Sequence, residues 1–336
     1  MTLSVHYNVY GCFRPPREDI ELAKTAVEAG FEGIWTGDHF MPWIDSRPHS
    51  HHPFPWFGAL MNEIPEVPVG TSVTCPTMRY RPPVLAQAIA TLDQLSPGRF
   101  ELGVGVGEAL NEAHFLDGPW PDWQTRARML IDAIRVMRKL WDSEDYITFE
   151  GRELSYEEIK LYTRPRSSID IHWAGWGPTS CRFAGRFADH LLTVADPEQL
   201  AASIIPRFEK GLEQDGRTLE EADVTTEVAI NLGDPDELVE EIRTRGEYIP
   251  DDTELDNPDP RSIQQVAHQR VSELTDDELI EASGIVEDPE DVVERLARFE
   301  QAGATRVLVG STCGDPLATI EQFETDIFPA LAERGI

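Results

Sequence analysis

Apolar positions along the chain follow two alternating periodicities. Short runs rich in Val, Ile, Leu and aromatic residues, at 3–10, 33–38, 67–73, 99–107, 170–175, 190–195, 224–231 and 306–311, have the length and β-branched content of strands. Between them, apolar residues recur every three or four positions over 17–29, 81–95, 123–142, 178–187, 197–215, 235–246, 289–302 and 315–332, which predicts helices. Eight strands, each followed by a helix, predict an α/β fold: a (β/α)8 TIM barrel with insertions, in preference to an open doubly wound sheet. The whole chain, 1–336, reads as one barrel domain with two departures from the rhythm. Residues 143–166 form a hairpin-like excursion, and 247–284 begins rich in Pro and Asp and then turns helical. Long insertions of this kind usually cover the active-site face of a barrel.

Charge narrows the partners. The 61 Asp and Glu outnumber 29 Lys and Arg, giving a formal net charge of −32, and the acids are spread through the helices rather than gathered in a tail. Such a surface repels nucleic acid and acidic membranes. A well-folded chain this acidic, with lysine only at Lys24, Lys139, Lys160 and Lys210, resembles proteins of salt-loving archaea, in which molar salt screens the self-repulsion. No apolar run is long enough to span a bilayer and no signal core follows the N-terminus, so a cytoplasmic protein is expected. Cys12, Cys75, Cys181 and Cys313 lie far apart with no CxxC, and the "HSHHPF" stretch (His49, His51, His52) lacks ligand spacing and reads as a polar loop; no metal site is expected.

The chemistry gathers at strand ends. Asp38, His39 and Trp43 follow the second strand, at the C-terminal face where barrels build their sites. An imidazole there exchanges protons near neutral pH, and Glu108, after the fourth strand, brings a carboxyl to the same face. The glycines of "LGVGVGEALNE" (Gly103, Gly105, Gly107) let backbone approach a flat ligand, although G-x-G-x-G is not the dinucleotide fingerprint. "AGWGPTS" (174–180) places a glycine turn before a helix, an arrangement suited to holding a phosphate.

Three segments, "TGDHFMPW", "GTSVTCPTMRYRPPVLAQAIATLDQLSPGRFELGVGVGEALNE" and "GWGPTSCRFAGRFADHLLTVA", resemble the luciferase-like superfamily and, within it, the deazaflavin (coenzyme F420)-dependent oxidoreductases. The resemblance implies a (β/α)8 barrel, commonly a homodimer, that binds coenzyme F420 at the C-terminal strand ends. It also implies a non-prolyl cis peptide at Ser72–Val73 backing the cofactor rings. Asp38, Cys75, Val106, Gly107 and Asn111 would contact the rings, while Trp176, Gly177, Thr179 and Ser180 would hold the side-chain phosphate. The likeness casts His39 as catalytic base, Trp43 as a hydrogen-bond donor to substrate oxygen and Glu108 as the acid, with Val194 facing the substrate. The implied activity is hydride transfer between the deazaflavin and a hydroxyl or carbonyl carbon of a small alcohol or sugar. A flavin mononucleotide monooxygenase and a non-catalytic deazaflavin-binding barrel are the alternatives. Two departures matter. The family glutamate of the first βα loop is replaced by "VYGCFRPP", and of the Thr and the Lys or Arg residues that grip a substrate phosphate in the sugar-phosphate enzymes, the Thr position reads Val194 and no matching lysine is found, which favours a neutral substrate.

Overall fold

The computed structural model describes residues 2–246 and 256–336. The eight expected runs become the barrel strands: Ser4–Val9, Ile34–Thr36, Val69–Thr71, Phe100–Val104, Ile171–Ala174, His190–Thr193, Val224–Ala229 and Arg306–Gly310, called the first to the eighth below. They close into one barrel whose hydrogen-bonded order is first, eighth, seventh, sixth, fifth, fourth, third, second. Every pairing is parallel, as helical crossovers between consecutive strands require.

The helix assignment needs two corrections. The second strand is followed by Pro53–Leu60, a helix absent from the expected set. Its eight residues, PFPWFGAL, are apolar on nearly every side, and Phe54, Trp56, Phe57 and Leu60 are all buried. A helix buried all round shows no 3.6-residue alternation of polar and apolar positions, so it escapes a periodicity search. The second correction concerns Pro235–Arg245, which is not the crossover of the seventh unit. That role belongs to Pro289–Gln301, which leads into the eighth strand. Pro235–Arg245 opens an insertion continued by Pro260–Glu273 and Asp276–Ser283; of the excursion expected at 247–284, residues 247–255 of its Pro- and Asp-rich start lie outside the described residues.

The insertion is clasped at its neck. Asn231–Leu232 pairs in parallel with Ile285–Val286. The Asn231 amide donates to Ser283 O at 2.6 Å and its oxygen accepts the Thr312 and Cys313 amides at 2.8 and 3.0 Å. Residues 147–159 make an antiparallel hairpin, Ile147–Glu150 against Ser155–Ile159. Two long helices carry π-helical segments, Leu200–Ile204 and Phe323–Ile327, each just before a proline, Pro206 and Pro329. Proline lacks an N–H, and a locally widened turn accommodates the missing bond.

Two layers fill the barrel below its mouth. At the N-terminal end, Glu101 accepts from Arg306 at 2.6 Å and lies 2.7 Å from His172 Nε2, and Arg306 reaches Asp223 at 3.3 Å. The Trp35 indole donates to His6 Nδ1 at 2.9 Å. Above this charged floor, Trp35, Leu192 and Leu308 pack as an apolar layer with Val73 against it. Side chains placed higher along the strands therefore point into the mouth.

Candidate active site

Four loops deliver the site. The second strand ends at Thr36, and Gly37 lets the chain turn so that His39 folds back: a Cβ at Gly37 would lie 2.9 Å from His39 Cδ2. Trp43 meets His39 edge-on, with ring centroids 5.9 Å apart at 63°. The Ser50 hydroxyl donates to His39 O at 2.6 Å and closes the loop.

Asn111 brings the fourth loop to the second. Its Oδ1 accepts the Phe40 amide at 2.8 Å, which turns its NH2 toward His39 Nδ1 (2.9 Å) and Glu108 Oε2 (3.2 Å). An amide NH2 only donates, so Nδ1 accepts and the neutral imidazole carries its proton on Nε2. The ring can act as a base toward substrate only after that proton moves to Nδ1, a tautomer that Asn111 opposes. Glu108 Oε2 lies 4.0 Å from the same nitrogen.

Enclosure sets the protonation states. Burial pulls His39 down to about 4, against the opposing charge of Asp38. Burial, reinforced by the Glu112 carboxylate, lifts Glu108 to about 8. Both side chains lie deep among protein atoms yet keep 25% and 31% of their surface open to the mouth. Water there tempers both shifts, and a flat ligand that displaced it would strengthen them. At neutral pH the pair is therefore an uncharged imidazole beside a carboxylic acid. Glu227, from the seventh strand and hydrogen-bonded to Asn8 and Tyr10, is raised by burial to about 7.

Several expected ligand contacts sit behind the mouth rather than in it. Asp38 is only 3% exposed, and its carboxylate accepts from Thr74 at 2.8 Å, Arg79 at 2.7 Å and Tyr80 at 3.2 Å. Its carboxylate is thus occupied, and its backbone carbonyl also accepts from Arg79, at 2.9 Å. Cys75 is buried beside Thr77, and burial pushes its thiol well above the ordinary range, so it stays a neutral packing group. The Ser180 hydroxyl accepts from Trp173 and donates to Ala174 O, which leaves its amide as the group available to a ligand. Arg79, Thr74, Tyr80 and Glu112 were missed by sequence reasoning, although Glu112 stands four residues after Glu108 on a short helix and Arg79 lies inside "TMRYRPP".

The remaining predicted residues frame an open face. The Ser72–Val73 peptide is cis, as the resemblance implies, and Val73 packs so closely on the fourth strand that a Cβ at Gly105 would lie 2.9 Å from its Cγ2. Gly107 adopts φ +88°, with Cys75, Met78 and Glu112 around the place a Cβ would take. Val106 is partly buried against the core. Across the mouth, the helix Pro178–Phe187 begins at Gly177 with no side-chain cap, and a Cβ at Gly177 would meet nothing within 4 Å. The Thr179 and Ser180 amides of that first turn lack intrahelical partners and suit an anion. Trp176, half exposed, donates to Gln199 at 3.3 Å, and Val194 is 63% exposed.

The comparisons agree with this architecture. Residues 2–306 match the profile of the luciferase-like monooxygenases. The chain belongs to that family. It is 33% identical over 323 residues to an F420-dependent glucose-6-phosphate dehydrogenase of Microbacterium testaceum, covering 95% of this chain and 94% of the relative. A protein of the same name from Intrasporangium calvum is 31% identical over 327 residues, 96% of each. Among solved structures, an F420-dependent secondary alcohol dehydrogenase in complex with an F420-acetone adduct superposes with a TM-score of 0.89 at 31% identity, over 98% of this chain and 99% of that one. In this luciferase-like protein, the backbone-lined face between Gly105–Gly107 and the Gly177 turn fits a planar cofactor with an anionic tail: glycine backbone for the rings, unpartnered amides for the phosphate. The "HSHHPF" histidines are absorbed elsewhere, His51 between Asp19 and Trp56 and His52 against Tyr80. No helix among the described residues is long and apolar enough to cross a membrane.

Proposed function

We propose that this chain is a coenzyme F420-dependent oxidoreductase that moves a hydride between the deazaflavin and a hydroxyl or carbonyl carbon of a small alcohol or sugar, working in the cytoplasm as a homodimer of single-domain barrels. The observation that carries the reading is the meeting of His39, Glu108 and Asn111 from two separate loops within hydrogen-bonding reach beside Trp43. The cofactor, when bound, supplies the hydride chemistry. Backbone at Val106, Gly107 and the Ser72–Val73 turn would back its rings, and the amides of Gly177, Thr179 and Ser180 would hold its phosphate.

The protein's own groups do the rest. The Nε2–H of neutral His39 and the indole N–H of Trp43 are two donors for a carbinol oxygen as it gains negative charge. Glu108, with its carboxyl near 8, both releases and accepts a proton close to neutral pH, as an effective general acid–base group must. Asn111 holds the two groups in register.

The test uses purified protein, oxidised F420 and a panel of alcohols and sugars. Loss of the cofactor's visible absorbance should follow addition of substrate. His39→Ala and Glu108→Gln should each lower kcat by about 100-fold or more while cofactor binding, read by fluorescence, survives. A chain that binds the cofactor and shows the same rate with and without His39 is a carrier, and one that consumes oxygen with bound flavin mononucleotide is a monooxygenase; either result overturns the reading.

A further inference from the structure

The seventh strand carries a carboxyl into the barrel. Side chains alternate along Val224–Ala229, and Val224 and Val228 pack outward into the core, so Glu227 points into the lumen. In the strand register it stands beside Leu308, which also pairs with His6. Its hydrogen-bond partners, Asn8 and Tyr10, lie two and four residues beyond His6 on the way to the mouth. The carboxyl is therefore turned above the apolar layer of Trp35, Leu192 and Leu308. The eighth strand separates the first from the seventh, so the bond to Asn8 runs inside the lumen.

The partners are themselves held. Asn8 Oδ1 accepts from the Ser72 hydroxyl at 3.1 Å, which leaves its NH2 for Glu227. Gly310 lets the Tyr10 phenol lie over the eighth strand: a Cβ there would be 2.7 Å from Tyr10 Cε2 and 2.9 Å from its hydroxyl oxygen. The third and seventh strands are diametrically opposed in the closed order, so the hydrogen bonds from Ser72 through Asn8 to Glu227 span the lumen. Rings backed by the Ser72–Val73 turn would have the seventh strand on their other side, where substrate must lie. Glu227 keeps part of its surface accessible. An ionised carboxylate offers about four acceptor positions, and two protein donors leave it room for another.

A carbinol oxygen has two lone pairs and one proton. The Nε2–H of His39 can serve only a lone pair, and its Nδ1 is taken by the Asn111 amide at 2.9 Å. Glu108, lifted to about 8, is mostly protonated at neutral pH. Burial raises Glu227 to only about 7, with its two hydrogen bonds opposing the rise, so a substantial fraction is carboxylate there. Tyr10 is the titratable group bonded to it. The sixth and eighth strands present Leu192 and Leu308, the third presents Ser72, and the charges of Glu101, His172 and Arg306 lie beneath the apolar layer.

We infer that Glu227, rather than His39, is the base of the carbinol oxidation. The O–H bond breaks and its proton passes to a Glu227 oxygen, the freed electron pair closes the C=O bond, and the carbinol C–H leaves as hydride to the oxidised deazaflavin. Glu108 is left to supply the separate proton that balances cofactor reduction. The inference rests on the dehydrogenase reading above and assigns the proton that this reading leaves without an acceptor.

The test uses the full chain, oxidised F420 and an alcohol that the wild type oxidises. Glu227→Gln, nearly isosteric, should lower kcat by about 100-fold or more and remove the acid limb of kcat/KM near pH 7, while F420 affinity read by fluorescence is unchanged. Tyr10→Phe withdraws a bond that favours the carboxylate, so the limb should move upward by about half a pH unit to one unit. Without cofactor or turnover, infrared difference spectra between about pH 6 and 8 should contain a carboxyl band that Glu227→Gln removes. Wild-type kcat with an intact acid limb in Glu227→Gln, an unmoved limb in Tyr10→Phe, loss of F420 binding in Glu227→Gln, or a spectrum without that band each overturns the proposal. A wild type that reduces F420 with no hydroxyl compound instead faults the dehydrogenase reading itself.

Discussion

Asn111 fixes His39 from behind: a single side-chain amide accepts the Phe40 N–H at 2.8 Å and donates to His39 Nδ1 at 2.9 Å. The imidazole therefore has a set orientation and a set tautomer before any ligand arrives. Asn111→Ala should release the ring and lower kcat by about 10- to 100-fold, because small misplacement of a reacting group is costly. Asn111→Asp keeps the acceptor for Phe40 but puts a carboxylate at Nδ1. His39, held near 4 in the wild type, should then titrate about one to two pH units higher, a shift read directly by NMR of the ring protons.

Cofactor binding should take up protons. Burial lifts Glu108 to about 8, and a flat ligand that covers the part of the group left open at the mouth disfavours the carboxylate further. Raising a pKa on binding means proton uptake around pH 8 and weaker binding as pH climbs beyond it. Calorimetry in buffers of different ionisation enthalpy measures the uptake, which should vanish in Glu108→Gln.

The cofactor-free protein should lose stability as pH rises from about 7 to 8. Glu108 at about 8 and Glu112, Glu227 and Asp19 at about 7 all bind protons more tightly folded than unfolded, where carboxyls titrate near ~4. Up to about 6.5 the unfolded chain also protonates His6, His39, His51 and His190, which burial holds at about 3 to 4 in the fold, so the two sets oppose each other; above it the native state alone holds the extra protons, and each pH step upward favours unfolding. Urea midpoints across this window should fall, and the slope should flatten in Glu108→Gln.

Gly107→Ala tests the ring-facing backbone. The position combines φ +88° with neighbours at 2.8 Å (Cys75 Sγ), 3.0 Å (Met78 Cε) and 3.1 Å (Glu112 Oε2) from a new Cβ. A destabilisation of about 1–3 kcal/mol is expected, visible in denaturant midpoints and accompanied by weaker cofactor binding.

The charged floor should matter for stability and not for chemistry. Burial works to raise the Glu101 carboxyl, but His172 and Arg306 outweigh it and hold the group well below the usual range. Arg306→Met strips a cation from that buried carboxylate and should destabilise by about 3–5 kcal/mol. Where the variant folds, cofactor affinity should be unchanged.

Strand periodicity made the barrel legible because each strand is a short apolar run bounded by turn residues, a signal local to the run. Pro53–Leu60 was illegible for the opposite reason: burial on all sides erases the polar face that marks a helix. The site divides similarly. His39, Trp43 and Glu108 stand at strand ends, where position alone suggests chemistry. What the sequence could not reveal is which polar groups are already satisfied by one another. Asp38 looks like a ligand contact until Thr74, Arg79 and Tyr80 are seen around it.

The clasp of Asn231–Leu232 on Ile285–Val286 makes the insertion a module with one doorway. Its entry and exit are neighbouring strands about 5 Å apart, so the barrel experiences the same geometry at the doorway whatever the number of residues beyond it. Descendants of this chain could lengthen or trim the far part of that module while its doorway holds its place, but an exchange of the whole module would have to supply again the bonds that Gln264, Pro258 and Asp256 make to Ser46 of the second loop and to His114 and Trp120 of the fourth. Length can thus vary in the module while His39 and Glu108 keep their places at the barrel mouth.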